Sequence, residues 1–372
     1  MYERGKISAY QMALILYPTI YSTAILFVPT ITAKYAGRDM WIAPVFAAVT
    51  GIITAYIIYR LHKRYPEETI IEYSSHLIGR FPAKLLGFAY IFFFLFMGGY
   101  VLREYVSFIN ISFLPRTPIL VIVGSIIMVS SVAVSGGIEV LGRVSQVLIP
   151  IFILPIPIFI ALLVKDMVIQ NIQPILENGL TPVVRSSVTP QAWFGEVFIM
   201  ALILPYVSNR VKALKWSILS IITVMLSLVS LNLMCILLFG EITVSYSFPV
   251  FKAIRFISFS DFFEHLESFV IAFWILGIFV KITALYYSVV LSAAQTIGIK
   301  DYKQIVLPMG LLLILFSIWE FPSLQEQMEF TETIFPIYVP FMTTVIPALL
   351  LIISAIQNKK KDKKKAQTIS AT

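Results

Sequence analysis

The chain has 372 residues, of which 59% are hydrophobic and 13% charged, and its formal net charge at pH 7 is +8. A water-soluble domain of this length does not have such a composition, so the sequence indicates a membrane protein. The single cysteine excludes an intrachain disulfide, and the histidines show no metal-ligand spacing. No phosphate-binding loop, HExxH or GxSxG pattern is found, so we expect no enzyme, no metal and no cofactor.

Ten long apolar runs follow one another along the chain, and roughly 20 apolar residues suffice to cross a bilayer as a helix. Backbone groups in lipid must pair within their own segment, which favours helices over strands. We therefore predict an all-α polytopic membrane protein with ten transmembrane helices, and no cleaved signal peptide in the long first run. The runs are residues 7–33, 41–59, 85–102, 117–138, 144–164, 186–207, 216–240, 268–299, 304–319 and 333–358.

Lys and Arg are distributed unevenly between the two sets of loops. If the N-terminus is cytoplasmic, the inner segments, which include the loops 60–84 and 208–215 and the C-terminal tail, hold 19 Lys and Arg residues and the outer segments hold 6. Because basic residues are enriched on the cytoplasmic side, both termini are predicted to be cytoplasmic. This topology explains the positive charge without a nucleic-acid partner. The lysines of the tail, residues 357–372, would lie on anionic lipid headgroups, and a protein partner for the tail is the alternative.

The chain divides into two halves within one transmembrane domain, residues 1–356: a first repeat at about 7–164 and a second at about 186–356. An inner loop, 60–84, is predicted to hold a short helix that begins near Pro66, and the outer loop 165–190 is predicted to be ordered. Each half begins with an unusual helix, since the first contains Pro18 and the sixth contains Gly195. Five helices per half give the halves opposite orientations. We therefore predict an inverted repeat with broken helices 1 and 6, although Pro and Gly are also common in ordinary membrane helices.

Several local patterns resemble the spore germination permease family, the B subunits of nutrient-germinant receptors in endospore-forming bacteria. They are Tyr65-Pro66, Glu72-Tyr73, Gly79-Arg80, Gly87, Arg116-Thr117-Pro118, Asn171-Ile172-Gln173-Pro174-Ile175-Leu176, Gly179-Leu180-Thr181-Pro182, Glu267-Ser268, Trp274 and Phe279-Val280-Lys281. The family is similar to amino acid–polyamine–organocation (APC) transporters, so the resemblance implies a LeuT-like fold. It also implies an A subunit, a lipoprotein C subunit and a location in the spore inner membrane.

Helix breaks expose backbone N–H and C=O groups that attract a carboxylate and a cation, which matches a zwitterionic amino acid. In the first helix the candidate ligand-binding residues are Tyr17, Pro18, Thr19, Ser22 and Thr23. The alternative for each hydroxyl is a hydrogen bond back to a carbonyl of its own helix.

Only two charged residues lie deep inside the apolar runs, Glu196 in the sixth and Lys281 in the eighth. Charges at that depth are costly and persist where they pair, line a wet cavity or meet a ligand. Glu196, with Phe194 and Gly195 before it, is a candidate for a ligand's ammonium group, and an ion pair with Lys281 is the alternative. In the implied LeuT-like arrangement, the Lys281 ammonium could replace a coupling sodium ion between the first and eighth helices.

In the third helix, Tyr100 could roof the pocket and Glu104 could lie near its outer mouth. The alternative makes Tyr100 an aromatic-belt residue and Arg103-Glu104 an interfacial pair. The sequence thus favours a receptor subunit that binds a small nutrient, an amino acid in particular, near mid-membrane. A proton-coupled amino acid transporter of the APC superfamily is the second candidate.

Overall fold

The computed structural model describes residues 3–257 and 266–369, and for residues 266–270 and 359–369 it describes the backbone alone. Each of the ten predicted runs falls on a helix, and we number these helices span 1 to span 10. Their bounds are Ala9–Ala36, Ala43–His62, Arg80–Ser112, Ile119–Ser135, Ile138–Ile153 continued by Pro155–Leu163, Thr181–Ser187 continued by Pro190–Tyr206, Ala213–Phe239, Leu266–Ile297, Val306–Trp319 and Phe335–Pro340 continued to Ile369.

Within the described residues, length and composition identify seven helical stretches able to cross a membrane, or eight if the bent pair in span 6 counts as one. The difference from ten has two simple causes. Spans 1 and 2 form one stretch, Ala9–His62, joined by a 3₁₀ turn at Gly37–Ile42, and span 4 is short. The chain is therefore a multi-pass membrane protein.

The predictions for the two connecting segments are confirmed in part. The inner-loop helix exists at Ile70–Ile78, but it begins at a capping box between Thr69 and Glu72 and not near Pro66. The outer loop is ordered, as predicted, because Asp39 accepts a hydrogen bond from Leu176 N (3.0 Å) and Arg38 donates one to the Gln173 carbonyl (2.7 Å). Its last part is already helical, since span 6 begins at Thr181 and not at residue 186.

Span 1 lies at the centre of the bundle and packs against spans 5, 7 and 8, while span 3 packs against spans 8 and 9. Nearly every residue between Met12 and Thr32 is buried. Small residues allow the close approach of neighbouring spans, since a Cβ on Gly87 would collide with the Thr296 hydroxyl. The outer faces of spans 4 and 5 expose apolar side chains such as Met128 and Val147, as lipid-facing surfaces do.

Candidate functional site

Span 6 is interrupted where the sequence predicted a break. Its α-helix ends at Gly195, a 3₁₀ segment covers Glu196–Ile199, and a further 3₁₀ turn covers Leu204–Tyr206. A separate bend of 47° lies earlier in the span, between Thr181–Ser187 and Pro190–Tyr206. A 3₁₀ stretch inside a helix marks strain or a hinge. The predicted break of span 6 is thus confirmed as a locally tightened helix.

The predicted break of span 1 is wrong, because Ala9–Ala36 is one continuous α-helix that contains Pro18. Proline removes only the N–H that would bond to the carbonyl of Leu14, and the surrounding spans hold the rest of the helix in place. The Thr19 hydroxyl donates to the Ile15 carbonyl (2.8 Å), which is the alternative foreseen for it. Span 1 therefore offers side chains, and not an unwound backbone, to any ligand.

Glu196 and Lys281 meet in the middle of the bundle. Lys281 Nζ donates to Glu196 Oε2 (2.7 Å) and to Thr23 Oγ1 (2.8 Å), so two of its three hydrogens are engaged. The Lys281 side chain is 0% exposed and the Glu196 side chain 3%. One lysine therefore joins spans 1, 6 and 8. Breaking such a buried pair costs about 3–5 kcal/mol, because the remaining charge stays buried and unpaired.

Two tryptophans complete this connection, and neither was predicted as a site residue. Trp193 Nε1 donates to Thr23 Oγ1 (3.0 Å), and Trp274 Nε1 donates to the Ser22 carbonyl (2.7 Å). Ser22 therefore takes part through its backbone carbonyl. Its hydroxyl has no hydrogen-bond partner among the described residues. The sequence could have indicated both tryptophans, because each lies in an apolar run and a buried indole N–H requires a hydrogen-bond acceptor.

Glu104 lies in this cluster and not at an outer mouth, which corrects both readings of it. The residue is 0% exposed, and neither carboxylate oxygen has a hydrogen-bond partner in the described part of the chain. The polar groups near enough to influence it are Tyr100, Thr23, Glu196 and Lys281.

Tyr100 is fully buried, so it is no belt residue. Its hydroxyl forms a 2.7 Å hydrogen bond with Thr331 Oγ1, and its ring stacks on Phe335 at 5.2 Å. It thereby ties span 3 to the outer segment before span 10.

The remaining predicted residues lie elsewhere. Tyr17 forms a 3.0 Å hydrogen bond with Ser227 Oγ on span 7. Phe194 packs its backbone and Cβ against Gly51 on span 2, where an added Cβ would lie 3.0 Å from the Phe194 carbonyl oxygen. Gly195 faces span 10, since a Cβ there would lie 2.8 Å from Thr343 Oγ1. Of the predicted set, Thr23, Glu196 and Lys281 are in direct contact.

The space around this cluster is small. A cavity of about 10 Å³ reaches Glu196 between Phe94 and Phe198, which is room for at most one water. A larger apolar cavity of about 60 Å³ lies beside the C-terminal half of span 1, against Tyr21 and Trp274. The centre of the bundle is therefore closed.

Contacts join the spans at both ends of the bundle as well. On the predicted inner side, Ile7 N donates to the Tyr206 carbonyl (3.0 Å), and Arg210 forms an ion pair with Glu67 (2.6 Å). The guanidinium of Arg210 lowers the pKa of Glu67. On the other side, Lys34 pairs with Glu332 (2.5 Å). Among the described residues no group of His, Cys, Asp and Glu side chains is arranged to hold a metal ion.

Comparison with known proteins agrees with this arrangement. A family model described as "Spore germination protein" matches residues 6–323. The chain belongs to the spore germination permease family. Relatives include spore germination protein KB of Bacillus subtilis (strain 168), 26% identical over 98% of this chain and 99% of that protein. Another is the putative spore germination protein YfkT of the same strain, 29% identical over 94% of this chain and 96% of that protein.

Two solved transporters resemble this member of the spore germination permease family in fold. Mhp1, a nucleobase-cation-symport-1 family transporter in a closed conformation with bromovinylhydantoin bound, gives a TM-score of 0.72 at 12% identity, covering 94% of this chain and 78% of the transporter. MhsT in complex with L-phenylalanine gives 0.62 at 14% identity, covering 94% and 89%. At these identities the similarity concerns the fold alone, and it confirms the LeuT-like arrangement expected from the sequence.

Proposed function

We propose that this chain is the B subunit of a spore nutrient-germinant receptor. It binds a small nutrient, an amino acid in particular, at the cluster of Thr23, Glu196 and Lys281, and it signals to an A subunit and a lipoprotein C subunit. Membership of the spore germination permease family supports the biological setting. The observation that carries the binding site is the Lys281 side chain, which holds spans 1, 6 and 8 together through two hydrogen bonds in a closed bundle.

An amino acid is the class of ligand that fits this cluster. Its ammonium can take the place of Lys281 beside Glu196, and its carboxylate can take the place of Glu196 beside Lys281. Each buried charge then keeps an opposite charge, so the exchange avoids the cost of an unpaired ion. Trp193 Nε1 is a further donor for the carboxylate, since it reaches the same Thr23 hydroxyl.

In this proposal, the ligand produces a signal by breaking the connection that Lys281 makes between span 1 and span 6. In the closed bundle, the Lys281 ammonium connects span 1 to span 6, and in this proposal it replaces a coupling sodium ion between the first and eighth helices. A ligand that binds better to the arrangement with this connection opened shifts the population toward it. The 3₁₀ segment at Glu196 is the hinge available for that movement.

The Lys and Arg distribution supports a topology with both termini in the cytoplasm, and membership of the spore germination permease family supports a location in the spore inner membrane. The lysine-rich tail, whose side chains lie outside the described residues, would rest on anionic headgroups.

The test is a germination assay across a panel of amino acids and sugars, in spores that carry this subunit with its companions. Lys281→Met should abolish the response to every nutrient that acts on the wild type, with the protein still present on an immunoblot. Thr19→Val is the matched control, because Thr19 is equally buried but bonds only within span 1. A normal response of the Lys281 variant would refute the proposal.

A proton-coupled amino acid transporter is the second candidate, and the fold similarity to two transporters with bound small molecules favours it. Purified protein in liposomes distinguishes the two. Uptake of a radiolabelled amino acid that triggers germination would favour transport, whereas germination without uptake would favour a receptor.

A further inference from the structure

Span 10 contains a π-helical turn at Phe341–Val345, which we call the span 10 turn. Such turns are rare and occur frequently at functional sites. The Ile346 N–H bonds to the Phe341 carbonyl, five residues back, and the next residue, Pro347, has no N–H. The Met342 carbonyl therefore receives no hydrogen bond from its own helix and requires a donor from elsewhere.

Tyr90 on span 3 supplies that donor and also contacts span 6. Its hydroxyl donates to the Met342 carbonyl (3.1 Å), and its ring stacks on the Phe198 ring with the ring centres 5.1 Å apart. Phe198 belongs to the 3₁₀ segment Glu196–Ile199, which we call the span 6 hinge. Tyr90 is fully buried. One side chain thus contacts both irregular turns.

The two turns also pack directly against each other. Gly195 comes immediately before the span 6 hinge, and a Cβ added to it would lie 2.8 Å from the Thr343 hydroxyl oxygen. That hydroxyl donates to the Val339 carbonyl of its own helix (2.9 Å), so it is held in place there. The cavity of about 10 Å³ that reaches Glu196, Phe198 and Thr343 leaves little free space. Because packed interiors have discrete arrangements, a movement of the hinge must displace the turn.

The inner half of span 10 connects this turn to the predicted inner face. Gln357 Nε2 donates to the Leu77 carbonyl (2.9 Å), near the end of the inner-loop helix Ile70–Ile78. Arg64 donates to the Leu351 carbonyl (3.3 Å). A displacement of the span 10 turn therefore reaches the inner-loop helix through the helical segment that follows the turn.

We propose that the span 6 hinge and the span 10 turn move as one coupled unit, with Tyr90 as the positioning residue that joins them. When the Lys281 ammonium leaves Glu196, the hinge is released and the span 10 turn shifts with it. The shift carries the ligand signal to the inner half of span 10. This inference rests on the proposed function for the source of the signal. The pair of turns is the two-state element that both the ligand and span 10 bias.

The first experiment needs no nutrient and uses the purified full-length chain in lipid nanodiscs. Lys281→Met leaves Glu196 without its partner, and amide hydrogen exchange then reports which segments open. Exchange in the span 10 turn should become at least about tenfold faster than in the wild type. The acceleration should be larger there than in span 9, which packs against spans 3, 4 and 8.

Tyr90→Phe keeps the ring but removes the hydrogen bond to span 10. In this background the acceleration caused by Lys281→Met should shrink by about 2- to 10-fold, the equivalent of one neutral hydrogen bond. Tyr286→Phe is the matched control, because Tyr286 is equally buried and its hydroxyl donates to a backbone carbonyl of span 9. In the control background the acceleration should be unchanged. An undiminished acceleration in the Tyr90→Phe background, or one no larger in the span 10 turn than in span 9, would overturn the inference.

Germination adds a readout that depends on the proposed function. Spores with Tyr90→Phe should have a maximal germination rate about 2- to 10-fold below that of the wild type, and spores with Tyr286→Phe should stay within about twofold. Both proteins should be present at the wild-type level on an immunoblot. Equal losses in the two variants would indicate a purely structural role for Tyr90 and would overturn the inference. If no nutrient germinates the wild-type spores, the proposed function fails, while hydrogen exchange still decides whether the two turns are coupled.

Discussion

The pairing of Glu196 with Lys281 makes a quantitative prediction about stability. The two side chains are 3% and 0% exposed and their charged atoms are 2.7 Å apart, so removing either one leaves the other buried and unpaired. Glu196→Gln and Lys281→Met should each destabilise the protein by about 3–5 kcal/mol. With an unfolding entropy of about 0.8 kcal/mol/K for 372 residues, each loss corresponds to a fall in Tm of about 4–6 °C.

The double variant, Glu196→Gln with Lys281→Met, removes both charges and should recover most of this loss. It lacks only the hydrogen bond from Lys281 to Thr23, so we expect it within about 1–2 kcal/mol of the wild type. The assay is thermal unfolding of all four proteins in the same detergent, with the coupling energy taken from the double-mutant cycle. Additive losses in the double variant would refute the reasoning, and so would single variants as stable as the wild type.

Three further predictions concern other contacts. Gly195→Ala should lower stability by about 1–3 kcal/mol, because its Cβ would lie 2.8 Å from Thr343 Oγ1, and adding Thr343→Ala should restore most of it in a thermal melt. Trp193→Phe removes the five-membered ring and its N–H from a fully buried site, so we expect the loss of the 3.0 Å hydrogen bond and a small cavity to cost about 2–3 kcal/mol together; a loss below about 1 kcal/mol would contradict this. Arg210 lowers the pKa of Glu67, so this pair stabilises the fold above the ordinary carboxyl pKa and the contribution disappears as the pH falls through the lowered value. Because the Glu67 side chain is 65% exposed, the effect is below about 1 kcal/mol, and Glu67→Gln should remove that part of the pH dependence of Tm.

The ten apolar runs predicted the order of the spans but not the connecting helices Pro249–Arg255 and Leu324–Thr333, and the tertiary structure shows why the ends of the spans were harder to predict. The sequence predicts that the third run ends at residue 102, because the charged pair Arg103-Glu104 follows it. The helix continues to Ser112, and Glu104 is enclosed by other spans. A charge terminates an apolar run in the sequence whether it faces water or the interior of the bundle.

The helix breaks also depend partly on the sequence and partly on the tertiary structure. Both Pro18 and Gly195 weaken a helix, yet span 1 is continuous and span 6 is not. Pro18 and Gly195 each weaken the helix locally, and packing against the neighbouring spans determines whether the helix is interrupted there. In span 6, Gly195 lies against Thr343, which is part of a π-helical turn at Phe341–Val345 in span 10.

The sequence alone determined that two residues of opposite charge lie within the membrane-spanning runs. Burying a charge there is costly, so such residues are rare and easy to recognise in an apolar run. Only the tertiary structure decided which hydroxyl meets them. Thr19 and Thr23 lie one turn apart on the same helix, but Thr19 bonds to its own backbone while Thr23 receives Lys281 and Trp193. That difference depends on side chains from spans 6 and 8, which are about 170 and 260 residues away along the chain and reach span 1 only when the bundle is packed.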